Sequence, residues 1–184
     1  MIKEILTYPN PILRKKSQNI EVFDEKLHAL LEDMKDTMNE KGGVGLAAVQ
    51  IGVLLNVLII NIPVEDENDE TGESDIQLEQ NLIEAINPKI TFRNGEQTYN
   101  EGCLSIPSYY DEITRSMDVT VEFKNRLGEV QILEASDFFA VAWQHEMEHL
   151  EGHVFIENLS FLKRKKFEKD WKRKLKEESK KRKA

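Results

Sequence analysis

The segment His145-Glu146-Met147-Glu148-His149 carries the residue types best suited to metal chemistry in this chain. Two histidines four positions apart lie on one face of an α-helix and can bind the same metal ion. The glutamate after the first histidine can act as a general base toward a water molecule on that ion. The same five residues could form a solvated charged turn. However, they continue a hydrophobic stretch, and histidine and glutamate buried there would need partners.

A hydrolytic metal site needs a third protein ligand and one position left open for water. In the extended pattern H-E-x-x-H-x-x-G-x-x-H that ligand is a third histidine, but Phe155 occupies the position here. His153 follows His149 by four residues, yet Gly152 is expected to end the helix between them and leave His153 at the surface. Cys103 is the remaining candidate, because a thiolate suits zinc or ferrous iron. Most lone cysteines are small buried residues, so this assignment depends on the sequence around it.

Two other short motifs contain groups that could act on a ligand. Cys103 lies in the sequence EGCLSIP at residues 101–107, and the sequence GVGLAAVQIG occupies residues 43–52. The glycines of the second motif allow a ligand to approach the backbone, and Gln50 offers an amide donor. Taken alone, residues 43–52 are better explained as a helix stop followed by the start of a strand.

Together the three motifs resemble those of the peptide deformylase family. That family carries G-x-G-L-A-A-x-Q, E-G-C-L-S and Q-H-E-x-D-H in this order, and the chain has GVGLAAVQ, EGCLS and QHEMEH within residues 7–160. Val49 stands where many members have proline, and Glu148 stands where aspartate is usual. The resemblance implies an α+β fold in which antiparallel sheets surround a central metal-binding helix.

The resemblance also implies a reaction and a metal. The expected reaction removes the formyl group from the N-terminal formyl-methionine of nascent polypeptides and releases formate. One divalent ion per chain is expected. Ferrous iron is typical of the family, and zinc, nickel or cobalt can replace it. The implied ligands are Cys103, His145 and His149.

Catalytic roles follow from the same resemblance. A water molecule on the metal would attack the formyl carbon while Glu146 accepts its proton and then passes one to the leaving amine. The oxyanion that develops would be stabilised by the side-chain amide of Gln50 and the backbone N–H of Leu104, together with the metal.

Further residues are assigned to substrate binding and to support of the ligands. Val44 and Gly45 resemble the segment whose backbone pairs with the substrate peptide. By analogy, Glu101 orients the loop that carries the cysteine and forms an ion pair with Arg115. The extra methylene of Glu148 bears on a contact behind the metal ligands and on catalytic efficiency, but not on metal binding, and Glu148→Asp is expected to change turnover only modestly.

Helix geometry suggests a specificity pocket independently of the resemblance. Phe138, Val141 and Ala142 precede His145 by seven, four and three residues, so they lie on the same helical face as both histidines. An apolar wall beside the metal suits an unbranched side chain such as methionine. The alternative is that these three residues are ordinary core.

Two rival functions fit parts of the pattern. An H-E-x-x-H metallopeptidase would use the same helix, but its third histidine is missing here, and ligation by Cys103 would separate the two enzymes. A structural metal site is closed, usually by four protein ligands, whereas three candidates stand out in this chain.

Hydrophobic spacing predicts three helices around these motifs. An apolar stripe at three- and four-residue steps predicts a helix over 25–40 that stops at Gly42-Gly43. A second helix should begin at Ser136 or Asp137, end at Gly152 and carry both histidines. A third should run from Phe161 nearly to the end of the chain. Residues 7–16 open with two prolines, and a short helical turn is expected after them.

Strands are expected where short apolar or alternating segments occur. Residues 54–61 predict a buried strand, residues 83–98 one or two strands, and residues 118–134 a hairpin with the turn NRLG. Residues 65–79 carry eight acidic residues and predict a solvated loop. A metal cluster in that loop is disfavoured, because nothing there repeats at ligand spacing.

The composition bounds the protein's class and location. A chain of 184 residues fits one domain, and no apolar stretch approaches the ~20 residues that a membrane helix needs. The N-terminal sequence lacks the apolar core of a secretory signal, so a cytoplasmic location is expected, with no membrane partner. Cys103 is the sole cysteine, so an internal disulfide is impossible.

The charge is divided unevenly between two parts of the chain. Residues 163–184 hold 13 basic and 4 acidic residues, net +9, and residues 1–162 hold 12 basic and 30 acidic, net −18. We expect a catalytic domain over 1–162 and a basic helical extension, not a separate domain, over 163–184. Phe167, Trp171 and Leu175 form a thin apolar stripe in the extension. It could be a solvated helix packed on the body. The alternative expectation is docking on the ribosome, whose surface is largely RNA phosphate, because a C-terminal helix that docks there is known among bacterial members of the similar family.

Overall fold

A central helix that is covered by antiparallel strands organises this protein, whose computed structural model describes residues 1–65 and 75–181. The α+β fold expected from the sequence is confirmed. The three helices are α1 (Glu25–Glu40), α2 (Asp137–Leu150) and α3 (Phe161–Lys181). The strands are β1 (Gly45–Ala47), β2 (Val57–Ile60), β3 (Val64–Glu65), β4 (Asp75–Ile76), β5 (Ile83–Asn94), β6 (Gln97–Cys103), β7 (Ile106–Arg115), β8 (Asp118–Lys124) and β9 (Val130–Ser136). Short 3-10 turns cover Pro11–Arg14, Ala48–Ile51, Glu79–Asn81 and Phe155–Asn158.

Helix α1 forms as its sequence predicts. The carboxylate of Asp24 accepts hydrogen bonds from the backbone N–H groups of Lys26 and Leu27, both at 3.1 Å, which caps the first turn. The helix stops where the backbone of Gly42 turns to a φ of +63° and the N–H of Gly43 bonds to the carbonyl of Met38. The face that carries the apolar stripe is buried at Leu27, Leu31, Met34 and Met38.

The main sheet has the strand order β1-β2-β5-β8-β9, and all neighbours are antiparallel. Strand β2 is buried on both faces. Val57 and Ile59 pack with α1, and Leu58 and Ile60 pack with residues of α2. The strand is shorter than the predicted 54–61, because Leu54 and Asn56 instead bond to the backbone of Gln18. The predicted hairpin at residues 118–134 is confirmed as β8 and β9.

Helix α2 packs against β1, β2, β8 and β9 of this sheet and also against β6. Ser136 occupies its N-cap position, and Gly152, with a φ of +83°, follows its C-terminal end. A side chain at Gly152 would meet the carbonyl oxygen of Arg14 at 2.7 Å, so glycine is required here on two counts. The helix is buried along most of its length, which places Gln144, His145, Glu146 and His149 inside the protein.

Strands β6 and β7 form a separate two-stranded sheet, and Cys103 is the last residue of β6. Gly102 pairs with Tyr110 and Cys103 with Ile106, with a register shift between the two pairs. The residues 83–98 expected to hold one or two strands contain β5 and the start of β6. Strand β7 escaped prediction, because its charged centre, Asp111-Glu112, is unusual in strands.

The acidic segment predicted as a solvated loop lies largely outside the described residues, at 66–74. At its borders β3 pairs with β4 through Val64 and Ile76. The carboxamide of Gln77, just beyond β4, donates to the carbonyls of Gly43 at 2.9 Å and Asn61 at 2.7 Å. The end of the segment is therefore tied to the glycine motif before β1.

Helix α3 contacts the rest of the protein through its aromatic stripe. Phe167 and Trp171 are buried in a cluster with Ile113 and Phe155, and Leu175 is half-buried at its edge. The indole N–H of Trp171 donates to the carbonyl of Tyr8 at 2.9 Å. Within the described part of the chain, no helix combines the length and apolarity required to cross a membrane.

Candidate metal centre

Three potential metal ligands converge between helix α2 and the end of strand β6. His145 and His149 are one turn apart on α2, and the register shift at the end of β6 brings Cys103 against them. One donor atom from each residue lies within 4.8 Å of the others, and Sγ of Cys103 is 3.2 Å from Nε2 of His149. Among residues 1–65 and 75–181, no other group of such side chains meets this way.

The donors fit one divalent transition-metal ion. One sulfur and two imidazole nitrogens suit ferrous iron or zinc, and three protein ligands leave a coordination position open. Burial, with the nearby charges of His145 and Arg115, holds the pKa of His149 well below its usual value, so that its imidazole is neutral. Burial also lowers the pKa of His145, but Cys103, Glu101 and Glu146 outweigh it and raise that pKa well above the usual value. Ligation there would displace a proton.

A buried carboxylate sets the orientation of His145. Oε2 of Glu101 accepts a hydrogen bond from Nδ1 of His145 at 2.9 Å, which leaves Nε2 of the ring for a metal. The guanidinium of Arg115 holds Glu101 through Nε and through Nη2, the latter at 2.9 Å. Burial raises the pKa of Glu101, but the bonds from His145 and Arg115 outweigh burial and keep that pKa below its usual value.

The same guanidinium also binds Glu148. Nη1 and Nη2 of Arg115 lie 2.9 and 3.1 Å from the carboxylate oxygens of Glu148. Burial lowers the pKa of Arg115, yet its bonds to Glu101 and Glu148 raise it overall, so the side chain is a permanent cation between two carboxylates. The structure therefore places Glu101, Arg115 and Glu148 in one network behind the ligands.

Glu146 is buried directly beside the glycine motif. A Cβ atom on Gly45 would lie 2.6 Å from Oε1 of Glu146, so only glycine leaves room for this carboxylate. Burial raises the pKa of Glu146 to about 7. A carboxylate with such a pKa can both accept and return a proton near neutral pH.

The carboxamide of Gln50 lies beside Cys103. Its Nε2 lies 3.6 Å from Sγ of Cys103 and donates to the hydroxyl of Ser105 at 3.2 Å, while its Oε1 accepts from the backbone N–H of Ala47 at 2.8 Å. An oxyanion bound here would accept a hydrogen bond from one of the two N–H groups of the Gln50 amide, in place of Cys103 or Ser105. Leu104 lies between Cys103 and Ser105 and lines a cleft beside these groups.

A cleft of about 690 Å³ opens onto these groups, and every residue assigned to substrate binding from the sequence lines it. The lining includes Val44 and Gly45 of the glycine motif. It also includes three apolar residues of α2, namely Phe138, Val141 and Ala142. The ring of Tyr99 packs on that of Phe138, with centroids 5.0 Å apart and the planes tilted by 32°, and extends the apolar lining.

The rival metal ligand lies away from the site. His153 is exposed and bonds to Glu157 at 2.7 Å.

Four residues of the site were not predicted from the sequence. Ser105 could have been found, because it belongs to the EGCLS motif and a buried hydroxyl needs a partner. Three others are isolated in the sequence and gave no signal. They are Gln77, Tyr99 and Asn158, the last of which bonds to Glu148.

Antiparallel sheets surround a helix that presents two histidines and a glutamate to a cleft lined by a cysteine, an arrangement that would suit a hydrolase with one metal ion. The sequence profile of the polypeptide deformylase family matches residues 2–165. The chain belongs to this family, and the enzyme class expected from the three motifs is confirmed.

Relatives match along nearly the whole chain. A peptide deformylase from Nautilia profundicola is 46% identical over 180 residues, which cover 98% of this chain and 99% of that protein. One from Helicobacter pylori (strain Shi470) is 48% identical over 169 residues, 92% of each chain. The crystal structure of peptide deformylase from Ehrlichia chaffeensis superposes with a TM-score of 0.84 at 34% identity, covering 97% of this chain and 99% of that one.

Proposed function

We propose that this protein is a metal-dependent hydrolase that removes the formyl group from N-formylmethionyl nascent peptides and releases formate. The observation that carries the proposal is the convergence of Cys103, His145 and His149 in a cleft whose lining includes Cys103, His145 and Glu146. Membership of the polypeptide deformylase family supports the same reaction. Cytoplasmic nascent chains are the source of such peptides, so we place the enzyme there.

In this proposal one divalent ion, ferrous iron with zinc, nickel or cobalt as replacements, is held by Cys103, His145 and His149. When bound, the ion supplies Lewis acidity, which lowers the pKa of water and polarises the formyl oxygen. Glu101 keeps His145 in the tautomer that offers Nε2, and Arg115 keeps Glu101 in place.

The proton transfers are assigned to Glu146. Its buried carboxylate accepts the proton of the attacking water and returns it to the nitrogen that leaves as the peptide's free amine. The amide N–H of Gln50 and the backbone N–H of Leu104 donate to the oxyanion that forms at the formyl oxygen. Ser105 holds the Gln50 carboxamide for this purpose.

Substrate specificity is assigned to two groups of residues that line the cleft. The backbone of Val44 and Gly45 is available to pair with an extended peptide, and Gln77 holds the preceding carbonyl. Phe138, Val141 and Ala142 form an apolar wall next to His145, which suits the unbranched side chain of methionine.

A turnover assay tests this function. The metal-free protein should be inactive, and loading with Fe²⁺ without oxygen, or with Co²⁺, Ni²⁺ or Zn²⁺, should give formate from formyl-Met-Ala-Ser. Acetyl-Met-Ala-Ser is the matched control and should remain intact. Mass spectrometry distinguishes the metallopeptidase alternative, because that enzyme would cleave a peptide bond. Peptide fragments without formate would contradict the proposal.

We further propose that the basic extension, residues 163–184, docks the enzyme on the ribosome. Because the aromatic stripe of α3 packs on the body, the opposite face is free for a partner. Exposed lysines recur there at steps of four, three and four residues, which places them on one face of the helix. These residues are Lys165, Lys169, Lys172 and Lys176.

Charge removal is a better test than deletion, because deletion would take buried aromatic residues with it. With all four lysines changed to glutamine, co-sedimentation with ribosomes should weaken, and its log–log salt slope should fall by about 3. Formyl-Met-Ala-Ser should still be hydrolysed at the original rate. A control has the same change at the exposed residues Lys15, Lys16, Lys26 and Lys89. Equal loss of ribosome binding in both variants would exclude docking through α3.

A further inference from the structure

A continuous chain of hydrogen bonds leads from Asn158, at the exposed end of the 3-10 turn after α2, to one of the candidate metal ligands. Nδ2 of Asn158 donates to both carboxylate oxygens of Glu148, at 2.9 and 3.0 Å. Glu148 binds the guanidinium of Arg115, which binds Glu101, and Glu101 accepts from Nδ1 of His145. Asn158 is therefore the outermost member of a chain whose innermost member is His145.

The outer end of this chain is its weak point. The side chains of Arg115 and Glu101 are each 3% exposed, whereas that of Glu148 is 28% exposed. A cavity of about 580 Å³ on another face of α2 reaches Glu148 and Asn158 and admits water to them. A glutamate side chain in contact with water has several rotamers, and most of them would release Arg115.

Asn158 restricts Glu148 to the rotamer that Arg115 needs. It stands at the end of the turn Phe155–Asn158, and that turn is anchored by Phe155 and Ile156, which are both buried. The amide donates to both oxygens at once, so it fixes the plane of the carboxylate as well as its position.

We propose that Asn158 is a positioning residue for the metal centre, acting through Glu148, Arg115 and Glu101 on His145. Its effect is to keep a glutamate, longer by one methylene than aspartate, in a bidentate contact with Arg115. This inference rests on the proposed function, because it presumes that His145 binds a metal.

The decisive variant is Asn158→Asp, which keeps the shape of the side chain but sets a second carboxylate against Glu148. Partners behind metal ligands typically change metal affinity about 10–100-fold. Asn158 acts on His145 through three intervening residues, so we expect a smaller effect, with Co²⁺ bound about 5–20-fold more weakly. The visible absorption bands of the Co²⁺ protein should shift, and kcat should fall while KM is unchanged, because the substrate cleft lies on a different face of α2.

A matched control and a rescue separate positioning from general damage. Nδ2 of Asn94 donates to Asp118 at 2.9 Å in an exposed pair at the end of β5, so Asn94→Asp makes the same chemical change elsewhere. That variant should leave Co²⁺ affinity and spectrum unchanged. The double variant Glu148→Gln with Asn158→Asp exchanges amide and carboxylate and restores the hydrogen bond between positions 148 and 158. It should recover part of the lost affinity.

The outcomes are distinct for the inference and for the function. If Asn158→Asp matches Asn94→Asp in Co²⁺ affinity, spectrum and kcat, the positioning role is wrong. The same conclusion follows if the exchange variant loses as much affinity as the two single changes combined. If the unmodified protein binds no Co²⁺ and releases no formate, the proposed function itself has failed.

Discussion

Helices α2 and α3 use polar residues in opposite ways. In α2 most polar side chains are buried or half-buried, and Gln144, His145 and Glu148 are each held by partners from other elements. In α3 the charged side chains face solvent, and the contact with the body depends on Phe167 and Trp171. Removing one partner of a buried hydrogen bond leaves the other buried group without a partner. Removing a solvated charge leaves no buried group unpaired. Polar substitutions should therefore be costly in α2 and tolerated in α3.

The largest effect is expected at the metal centre. Changing Cys103, His145 or His149 to alanine should reduce metal content from about one ion per chain to near zero, with complete loss of formate release. Glu146→Ala should keep the metal and lose about 10²–10⁴-fold in kcat, the usual worth of a general base. Metal analysis after gel filtration measures both. Cys103→Ala protein with near-stoichiometric metal would overturn the assignment of the ligands.

The aromatic stripe of α3 gives the next effect, on stability rather than chemistry. Trp171→Ala removes a buried indole and its hydrogen bond to Tyr8, and should lower the free energy of unfolding by about 3–5 kcal/mol. Lys172→Ala, one position along, should change that free energy by less than about 0.5 kcal/mol. Urea denaturation of metal-loaded protein compares them. A loss below about 1 kcal/mol for Trp171→Ala would show that α3 is only loosely attached.

A polar residue of α2 away from the metal sharpens the contrast. The carboxamide of Gln144 accepts from Arg93 and from the backbone N–H of Ser116, and donates to the carbonyls of Ser116 and Ala140. Gln144→Leu keeps the volume but leaves these groups unpaired, so we expect a loss of about 1–3 kcal/mol in unfolding free energy. Thermal melts against Lys169→Leu in α3 provide the comparison. If Gln144→Leu and Lys169→Leu had equal melting temperatures, the proposed difference between α2 and α3 would be wrong.

The smallest effect is expected for Glu148→Asp. The charge is kept and only the reach of the side chain changes, so folding should be intact and kcat should change by no more than about tenfold. Steady-state kinetics and metal analysis on the same preparation provide the test. Loss of most of the bound metal would mean that the contact between position 148 and Arg115 is far less adaptable than its partial exposure suggests.

The sequence predicted those parts of the site that recur as local patterns. The spacing of two histidines and a glutamate on an apolar helix was enough to predict that they act together. Cys103 was predicted because its motif accompanies theirs. The roles given to these residues and to the cleft remain predictions, although the structure brings all of them together.

Contacts between distant single residues could not be predicted. Asn158, Gln77 and Tyr99 lie in no motif, and each becomes part of the site only because tertiary folding brings a partner to it. Strand β7 was missed for a related reason, since its pairing with β6 outweighs the poor strand propensity of its charged centre. Packing and long-range pairing decided these features, and neither has a local signature.

The separation of the β6–β7 sheet from the main sheet has a mechanical consequence. No strand pairing joins the two sheets among the described residues, so side-chain contacts must hold the hairpin to α2. An ion bound by Cys103 and His145 would act as a cross-link and close the loop between these two positions, much as a disulfide does. Chelation would then loosen the whole hairpin rather than only the ligands, and the fastest gain in amide exchange would fall within residues 97–115.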